Sequence, residues 1–362
     1  MPDVPSNYRV IAPIDGVSFC EKKQMKSDGP GDEAAPRDRL SGSTHRPFVS
    51  VILIAYKQES FIREAVQSVL NQTFQPIEII LSDDCSPDET FEIMRSEAAN
   101  YRGPNKIVLN RNSQNMGLAR HISLAMAMSS GQFLVCQAGD DISIPTRVEK
   151  LVARWLDQKH PVDLVVSYFE DIDVNSKSTG LVTTNVAFVP DRTRHPMYWH
   201  CGATGACAAF SRKLIDKYGP VDAKVNSEDW VYSFRAWLEE GIGVIEEPLL
   251  LHRAHNESIS VIAATVRENK DPLVRTRLRR RTAASQLGIA EDWLRAAEIR
   301  GVDQNDEFIT KLRQLVKLRE YQFKAFDATR AQAIVLILKF WLNSGRTVES
   351  VKQFVRHVLG VR

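Results

Sequence analysis

Short hydrophobic runs alternate with amphipathic stretches from residue 49 to residue 169. Five of the runs predict strands, at residues 49–55, 77–82, 106–110, 132–137 and 163–169. The first, VSVILIA, is a nearly continuous apolar run with β-branched residues, which is typical of a strand buried on both faces of a parallel sheet. Helical periodicity separates the runs: six apolar residues between Phe61 and Leu70 fall on one helical face. Strand and helix alternating at this spacing predict an α/β fold with a mostly parallel sheet.

The pattern changes on both sides of this block. Residues 1–46 are rich in Gly, Pro, Ser and charge, which predicts a disordered N-terminal lead. Residues 173–200 predict a long loop, 228–241 a helix, and 243–253 one or two further strands. From about residue 262 the chain reads as helical, with the basic block RTRLRRR at 275–281. We therefore expect three parts, namely 1–46, an α/β domain at 47–261, and a basic helical region at 262–362.

Charge is divided unevenly between these parts. The formal net charge is only +2, which does not mark a nucleic-acid binder. Residues 262–362, however, hold 20 Lys/Arg and 11 Asp/Glu, a net of +9, whereas residues 1–261 carry a net of −7. The acidic part is therefore expected to favour cations or cation-bridged ligands, and the basic part anionic surfaces.

Cysteine usage and hydropathy give the expected compartment. The five cysteines show no spacing typical of a zinc site, so we expect reduced thiols in the cytoplasm. The longest apolar run, residues 331–342, would span roughly 18 Å as a helix, too short for a hydrocarbon core of about 30 Å. We therefore predict no transmembrane helix.

Three acidic pairs stand at predicted element ends. They are Asp83 with Asp84, Asp140 with Asp141, and Glu228 with Asp229. Each pair alone is consistent with a turn or a helix start, and Ser86 with Glu89 predicts a capping box after the first pair. Parallel strands, however, bring their carboxyl ends to one crevice, where carboxylates can hold Mg²⁺ or Mn²⁺ against phosphate oxygens. The chain lacks GxxxxGK[ST], which disfavours P-loop hydrolysis, and it lacks GxGxxG after the first strand, which disfavours hydride transfer.

Three stretches in this order resemble glycosyltransferase family 2. They are VSVILIAYKQESFIREAVQSVLNQTFQPIEIILSDDCSPDET, NRNSQNMGLARHISLAMAMSSGQFLVCQAGDDISIP and SEDWVYSFRAW. The resemblance covers roughly residues 47–260. It implies the GT-A fold for the α/β domain, with residues 262–362 as a helical extension. It further implies an inverting glycosyltransferase that uses a nucleotide-diphosphate sugar, first of all a UDP-sugar, and a divalent cation, Mg²⁺ or Mn²⁺.

The resemblance also implies roles for individual residues. Those of the nucleotide-sugar site are Ala55, Tyr56 and Glu59 beside the base, Asp83 and Asp84 at uracil and ribose, Arg120 at the diphosphate or sugar, and Gly139, Asp140 and Asp141. The implied metal ligands are Asp140, Asp141 and His255, with His252 and Arg253 as further diphosphate contacts. Glu228 and Asp229 match the catalytic ED motif, in which Asp229 would be the base.

Two departures from the family pattern limit what the resemblance implies. Ala138 stands where the first Asp of the DxD metal motif is expected, which puts the number of protein metal ligands in doubt. The processive signature QxxRW is absent, so a polysaccharide-extruding synthase is disfavoured.

Two rival functions remain open at the level of sequence. One is a sugar-phosphate nucleotidyltransferase, although a Gly-rich basic loop would be expected where AYKQES stands. The other is a non-catalytic nucleotide or sugar-binding scaffold with a degenerate site. For the transferase, we expect a glycan or lipid-linked acceptor in cell-envelope or exopolysaccharide synthesis and no nucleic-acid partner. The C-terminal helices are expected to pack on the domain, to form a homodimer, or to contact the inner face of the plasma membrane peripherally.

Overall fold

The computed structural model describes residues 8–11, 49–185, 203–255 and 272–326, together with positions 332 and 335. The described strands are β1 (Tyr8–Ile11), β2 (Val49–Ala55), β3 (Glu78–Asp83), β4 (Lys106–Arg111), β5 (Phe133–Ala138), β6 (Ile142–Ser143), β7 (Leu164–Ile172), β8 (Ser178–Thr183), β9 (Ala208–Ser211) and β10 (Ile242–Arg253). The described helices are α1 (Ile62–Leu70), α2 (Thr90–Asn100), α3 (Leu118–Met128), α4 (Arg147–Trp155), α5 (Arg212–Tyr218), α6 (Glu228–Leu238), α7 (Pro272–Arg300) and α8 (Glu307–Ala325).

The described strands form one sheet in the order β1-β4-β3-β2-β5-β9-β7-β10-β6, with β8 paired to β7. From β1 to β5 all neighbours are parallel, and β7 is parallel to β10. The five predicted strands correspond to β2, β3, β4, β5 and β7, so the predicted α/β fold with a mostly parallel sheet is confirmed. Strand β9 differs from the simple alternation: it lies antiparallel between β5 and β7 and separates two strands that are consecutive in the predicted series.

The peripheral predictions have mixed outcomes. Residues 8–11, inside the predicted disordered lead, form β1 alongside β4, and the rest of residues 1–46 lies outside the described residues. Residues 242–253 form one strand with register shifts where it pairs with β7. Part of the predicted long loop forms the β7–β8 hairpin, and residues 186–202 are outside the described part.

Hydrophobic cores cover both faces of the sheet. One face buries apolar residues of α1, α2 and α4 against the strands, and the other is covered by α3, α5 and α6. Burial on both faces explains why β2 and β3 are apolar at nearly every position.

Helices α7 and α8 share the core of α6. The ring of Phe234 stacks on that of Trp293 of α7 at 5.0 Å, and on that of Phe308 of α8 at 6.2 Å. A buried ion pair joins Arg235 Nη2 to Asp292 Oδ2 at 2.6 Å. The first half of the basic C-terminal region is therefore packed on the α/β domain. No helix in the described part of the chain is both long and apolar enough to cross a membrane, and most of 331–342 is outside that part.

Candidate active site

The parallel register brings the first two acidic pairs to one edge of the sheet. Ala55 at the end of β2 lies beside Asp83 at the end of β3. Ile54 lies beside Ala138 at the end of β5, two residues before Asp140. The crevice at the carboxyl ends of these adjacent strands is where α/β folds bind ligands. The turns after β2 and β3 hold Lys57 and Cys85 at positive φ, 56° and 61°, a strained conformation typical of functional turns.

Asp83 is buried and organises its own turn. Its carboxylate accepts hydrogen bonds from the backbone N–H of Ser86, at 2.9 Å, and from the Ser86 hydroxyl. Burial raises the pKa of Asp83, and the bonds from Ser86 and the charge of Arg111 oppose that shift. The predicted capping box is wrong: α2 begins at Thr90 with Glu89 as its N-cap residue, because the Ser86 hydroxyl is already bonded to Asp83.

Asp84 fastens the segment that leads into α3. Its oxygens accept from Asn112 Nδ2 at 2.7 Å and from the backbone N–H groups of Met116 at 2.9 Å and Gly117 at 3.0 Å. Gly117 has φ 76°, where a side chain would be strained. Arg120 follows in the first turn of α3 and is exposed. Asp84 thus fixes the loop that leads into α3, whose first turn carries the exposed Arg120.

The residues predicted beside the base line the turn after β2. Tyr56 is 41% exposed, an accessible ring at the rim of the crevice. Glu59 accepts from the backbone N–H of Glu89 at 3.0 Å, which ties this turn to the start of α2. Gly139 packs against the same turn: an added Cβ would lie 2.8 Å from Ala55 Cβ and 2.4 Å from Gln58 Oε1. Gln58 Oε1 is buried, with no hydrogen-bond partner among the described residues.

The second acidic pair divides into two environments. Asp140 Oδ2 lies 2.9 Å from His255 Nε2, and both side chains keep some exposure, 12% and 9%. Asp141 is buried and its Oδ1 accepts the backbone N–H of Arg253 at 3.0 Å. Burial, together with the charge of Asp140, raises the pKa of Asp141 to about 7. The structure therefore brings Asp140 and His255 together as a largely buried pair, with the buried Asp141 next to Asp140 in the chain.

The pair brings one carboxylate and one imidazole together at the end of β5. Hard cations prefer oxygen ligands, so of these two groups the carboxylate of Asp140 is the one that such an ion would favour. Within the residues that the structure describes, no group of three His, Cys, Asp or Glu side chains is arranged as a closed metal site. The number of protein metal ligands, which Ala138 puts in doubt, stays open. The assignments of Asp140, Asp141 and His255 as ligands stay predictions.

The third acidic pair begins α6 and is buried against β5. Glu228 is buried and Asp229 is partly exposed. Both line a cavity of about 10 Å³, roughly the space one water needs, together with Cys136 of β5 and Gly205. A Cβ on Gly205 would lie 2.9 Å from Glu228 Oε1, so this glycine allows the close approach of the carboxylate. Because β5 leads into Asp140, this cavity lies on the side of the sheet edge where the second acidic pair stands.

The proton affinities of the third pair are raised by the same burial. Burial, and next the charge of Asp229, raises the pKa of Glu228 to about 8. Burial raises the pKa of Asp229 to about 6. Both carboxyl groups of this pair therefore hold a proton more tightly than a carboxyl group in water does.

We expect Glu228→Gln to stabilise the protein at high pH. The folded-state pKa of Glu228 lies above its unfolded value, so its ionisation destabilises the fold increasingly from about pH 4.5 to about pH 8. Glutamine has no such ionisation, and the gain should reach about 1–3 kcal/mol at pH 8 and vanish at pH 4.5. Urea unfolding at both pH values measures it. An equal effect at the two pH values would show that Glu228 does not titrate between them.

A second cavity is unsuited to the nucleotide. It measures about 300 Å³ and lies behind α3, where Met116, Met126 and Met128 contribute to its walls. Tyr232, one turn after Glu228, borders both cavities. No charged side chain lines the larger cavity, so a diphosphate would find no counter-charge there.

Sequence reasoning missed several residues that support the site. His121 is buried below the strand ends with Nε2 2.8 Å from Ser82 Oγ, and burial lowers its pKa to about 4. Arg147 is buried and donates to the carbonyls of Cys136 and Ala206, both at 2.8 Å. No local sequence signal identifies these contacts, because each joins segments that are distant along the chain.

Arg253, predicted as a diphosphate contact, is used inside the protein. Its guanidinium is buried and bonded to three other segments, with Nε donating to the Asp140 carbonyl at 2.9 Å. His252, predicted beside it, has Nδ1 2.8 Å from Asp171 Oδ1. Both are therefore engaged with protein groups in this conformation.

Comparisons with known proteins agree with this architecture. The family model described as Glycosyl transferase family 2 matches residues 50–219. Putative glycosyltransferase EpsE of Bacillus subtilis is 37% identical over 114 residues, which cover 32% of this chain and 40% of EpsE. The minor teichoic acid biosynthesis protein GgaB of Bacillus subtilis is 24% identical over 233 residues, which cover 61% of this chain and 24% of GgaB. The chain thus spans two fifths or less of the length of these two relatives.

Solved structures show a weaker likeness. S. aureus TarS 1-349 in complex with UDP-GlcNAc is 16% identical, covers 83% of this chain and 93% of that one, and gives a TM-score of 0.49. The mostly parallel sheet flanked by helices is the GT-A architecture expected from the sequence resemblance. Residues 50–219 of this chain thus match glycosyl transferase family 2.

Proposed function

We propose that this protein transfers a sugar from a nucleotide-diphosphate sugar, with a UDP-sugar as first candidate, to a hydroxyl group of an acceptor. The observation that carries the proposal is the third acidic pair. Asp229 stands at the start of α6, and it lines one cavity with Cys136 of the strand that leads to Asp140. This position supports a role for Asp229 as the general base beside the sheet edge where the donor is proposed to lie.

The donor is proposed to lie across the carboxyl ends of β3, β2 and β5. Tyr56 and Glu59 border the base, and the buried Asp83 and Asp84 fix the turns that receive uracil and ribose. Arg120, exposed on α3, is suited to the diphosphate or the sugar. Asp140 and His255, with Asp141 behind them, would hold a Mg²⁺ or Mn²⁺ ion. Such an ion, when bound, neutralises negative charge on a diphosphate.

The chemistry proposed for the protein's own groups is a single displacement. Asp229 removes the proton of the acceptor hydroxyl as that oxygen attacks the anomeric carbon, and the diphosphate leaves on the opposite side with inversion. Only one acting carboxylate is needed, because the leaving diphosphate requires no proton. Glu228 stays neutral beside it, which limits the repulsion that a second negative charge would add.

The acceptor is proposed to be a glycan or a lipid-linked molecule of the cell envelope or of an exopolysaccharide. Support comes from the name of GgaB, a teichoic acid biosynthesis protein. We further propose a cytoplasmic protein that reaches the inner face of the plasma membrane peripherally or forms a homodimer through its C-terminal helices.

The nucleotidyltransferase alternative is not favoured by the geometry. The turn after β2 contains Lys57 and Tyr56, and it offers no glycine-rich loop to cradle a triphosphate. The degenerate scaffold is disfavoured because Asp140, His255 and Asp229 are all present, with Asp140 Oδ2 2.9 Å from His255 Nε2.

A thermal-shift and calorimetry screen of nucleotides, with and without Mn²⁺, tests the proposal on wild type and on Asp140→Ala. A nucleoside diphosphate should stabilise wild type in the presence of Mn²⁺, by about 2.7 kcal/mol at a hundredfold excess over Kd. Asp140→Ala should lose most of the stabilisation that depends on Mn²⁺. Asp157→Ala, a change at an exposed carboxylate, is the matched control and should respond like wild type. If no nucleotide stabilises wild type under any condition, the transferase proposal is wrong and the degenerate scaffold is favoured.

A further inference from the structure

Helix α7 extends beyond the start of α6, on the side of the third acidic pair. The two helices run in the same direction: α7 Ser285 accepts from the backbone N–H of Asn226 at 2.8 Å, and α7 Trp293 donates to the carbonyl of Trp230 at 3.3 Å. Arg281 Nη2 lies 3.2 Å from Asn226 Oδ1, just before α6 begins. Residues of α7 before Arg281 therefore project past Glu228 and Asp229, by about 6 Å per four residues.

This projecting turn carries arginines on the face that meets α6. Arg277 and Arg281 are four residues apart, so their side chains share one helical face, and both are exposed. Arg281 contacts the neutral amide of Asn226. Within the described part of the chain, neither Arg277 nor Arg281 forms an ion pair with a carboxylate. At the other end of the same helix, Arg295 and Arg300 pair with Asp292 and Glu239.

Helix stability does not explain this placement. The positive end of the helix macrodipole lies at the N-terminus, where cations are disfavoured. The first turn of α7 contains no acidic residue that would compensate. Unpaired guanidinium groups thus lie at the end of α7 that extends beyond the start of α6, whereas the paired ones lie toward the other end of the helix.

We propose that Arg277 and Arg281 bind a phosphate group of the acceptor while its hydroxyl reaches Asp229. This inference rests on the proposed function, because it assigns an acceptor to that same site. A guanidinium offers a planar pair of donors that matches two phosphate oxygens, and an exposed pair of such groups suits a phosphodiester or diphosphate. A neutral glycan would gain nothing from them. The phosphate can belong to a polyol-phosphate chain or to a lipid-linked diphosphate.

The test compares two double variants in the full chain with the donor site saturated by UDP and Mn²⁺. Arg277→Gln/Arg281→Gln removes the two unpaired charges. Arg95→Gln/Arg102→Gln removes the same charge from exposed positions on and beside α2, on the opposite face of the sheet. A fluorescent glycerol phosphate oligomer and farnesyl diphosphate serve as probes of the two phosphate sources, with binding followed by anisotropy and competition.

At least one probe should bind the Arg277→Gln/Arg281→Gln protein about tenfold more weakly than wild type, and high salt should remove the difference. The probe whose binding is weakened more identifies the source of the acceptor phosphate. The Arg95→Gln/Arg102→Gln protein should bind like wild type. Equal binding of both probes by both double variants would overturn the inference. The inference would also be overturned if Arg277→Gln/Arg281→Gln kept probe binding but lost binding to phosphatidylcholine vesicles that contain phosphatidylglycerol. The partner of the two arginines would then be a membrane surface.

Donor hydrolysis separates this inference from the proposed function. Hydrolysis of a UDP-sugar with Mn²⁺ needs no acceptor and should be unchanged in Arg277→Gln/Arg281→Gln. Absence of nucleotide-sugar hydrolysis and transfer in wild type would count against the proposed function alone. Arginine-independent probe binding in an active enzyme would count against this inference alone.

Discussion

Asp229→Asn is expected to lower the rate of sugar transfer by about 10²–10⁴-fold, the usual contribution of a general base. Asparagine has nearly the same shape as aspartate but cannot accept the acceptor's proton. Because Asp229 stands on α6, apart from the turns that are proposed to hold the nucleotide, the affinity for UDP with Mn²⁺ should stay close to that of wild type. Steady-state kinetics with calorimetric nucleotide binding would measure both.

The pH dependence of the rate adds a second signature of the same residue. Burial raises the pKa of Asp229 to about 6, so the ionised fraction and the rate of the wild type should rise with pH through that value. The residual activity of Asp229→Asn should lack this rise. A wild-type profile that is flat between pH 5 and pH 8 (about one unit below and two above that pKa) would remove Asp229 as the base.

Asp222→Asn is a matched control for this change. Asp222 precedes α6 by a few residues, and its side chain is 52% exposed in an ion pair with Lys224. Its substitution removes the same charge from the same region, but it should leave the rate within about twofold of wild type, since exposed pairs contribute little. Equal losses in Asp222→Asn and Asp229→Asn would indicate a general electrostatic effect.

The sequence predicted the central strands and the location of the acidic pairs well, for a physical reason. Strands buried on both faces must be continuously apolar, so VSVILIA and its neighbours are distinct from their surroundings. Once the strands are parallel, their carboxyl ends lie at one edge. Asp83 and Asp140 could therefore be assigned to one crevice without knowledge of any contact.

The insertion of β9 between β5 and β7 could not be predicted in the same way. Its four residues, Ala208–Ser211, carry little pattern of their own. Their position depends on pairing with β5 and β7, whose residues lie tens of positions away. Such pairing is decided by tertiary packing, which local propensity does not encode.

The role of Ser86 shows a related limit. The spacing of Ser86 and Glu89 matches a capping box, yet the hydroxyl bonds Asp83 and the helix starts later. Two partners compete for one hydroxyl, and the buried carboxylate gains more from it than an exposed helix end does. Local motifs therefore predict what a side chain can do, and burial determines which contact it makes.

Arg253 illustrates the largest gap between sequence and structure, and it leads to the second large expected effect. Its guanidinium donates to the Asp140 carbonyl at 2.9 Å, to the Asp173 carbonyl at 3.1 Å, and to Glu64 Oε2 at 2.6 Å across 189 positions of sequence. It also stacks over the ring of Phe61 at 4.7 Å. One buried side chain thus holds three segments together: the loop of Asp140, which is the proposed metal-proximal loop, α1, and the β7–β8 turn.

Arg253→Met is expected to lower the free energy of unfolding by about 2–4 kcal/mol, because methionine fills much of the space but leaves buried carbonyls without donors. The loop of Asp140 would also lose its anchor, so the Mn²⁺-dependent affinity for a nucleoside diphosphate should fall by about tenfold or more. Arg253→Lys keeps the charge but cannot reproduce the planar set of donors. Its stability and its nucleotide affinity should therefore lie between those of wild type and Arg253→Met. Urea unfolding and nucleotide titration with and without Mn²⁺ measure these effects.

Glu64→Gln shows whether the ion pair with Glu64 or the hydrogen bonds to backbone carbonyls account for the effects expected of Arg253→Met. The Glu64 side chain is 51% exposed, so water can replace its contact with Arg253, and the loss in stability should stay below about 1 kcal/mol. If Glu64→Gln matched Arg253→Met, the ion pair would be the source of the effect. If Arg253→Met unfolded more easily but bound nucleotide and Mn²⁺ like wild type, Arg253 would support the fold without positioning Asp140. A loss of both in Arg253→Met alone is the result expected from a side chain whose main contacts are the carbonyls of the metal-proximal loop and the β7–β8 turn.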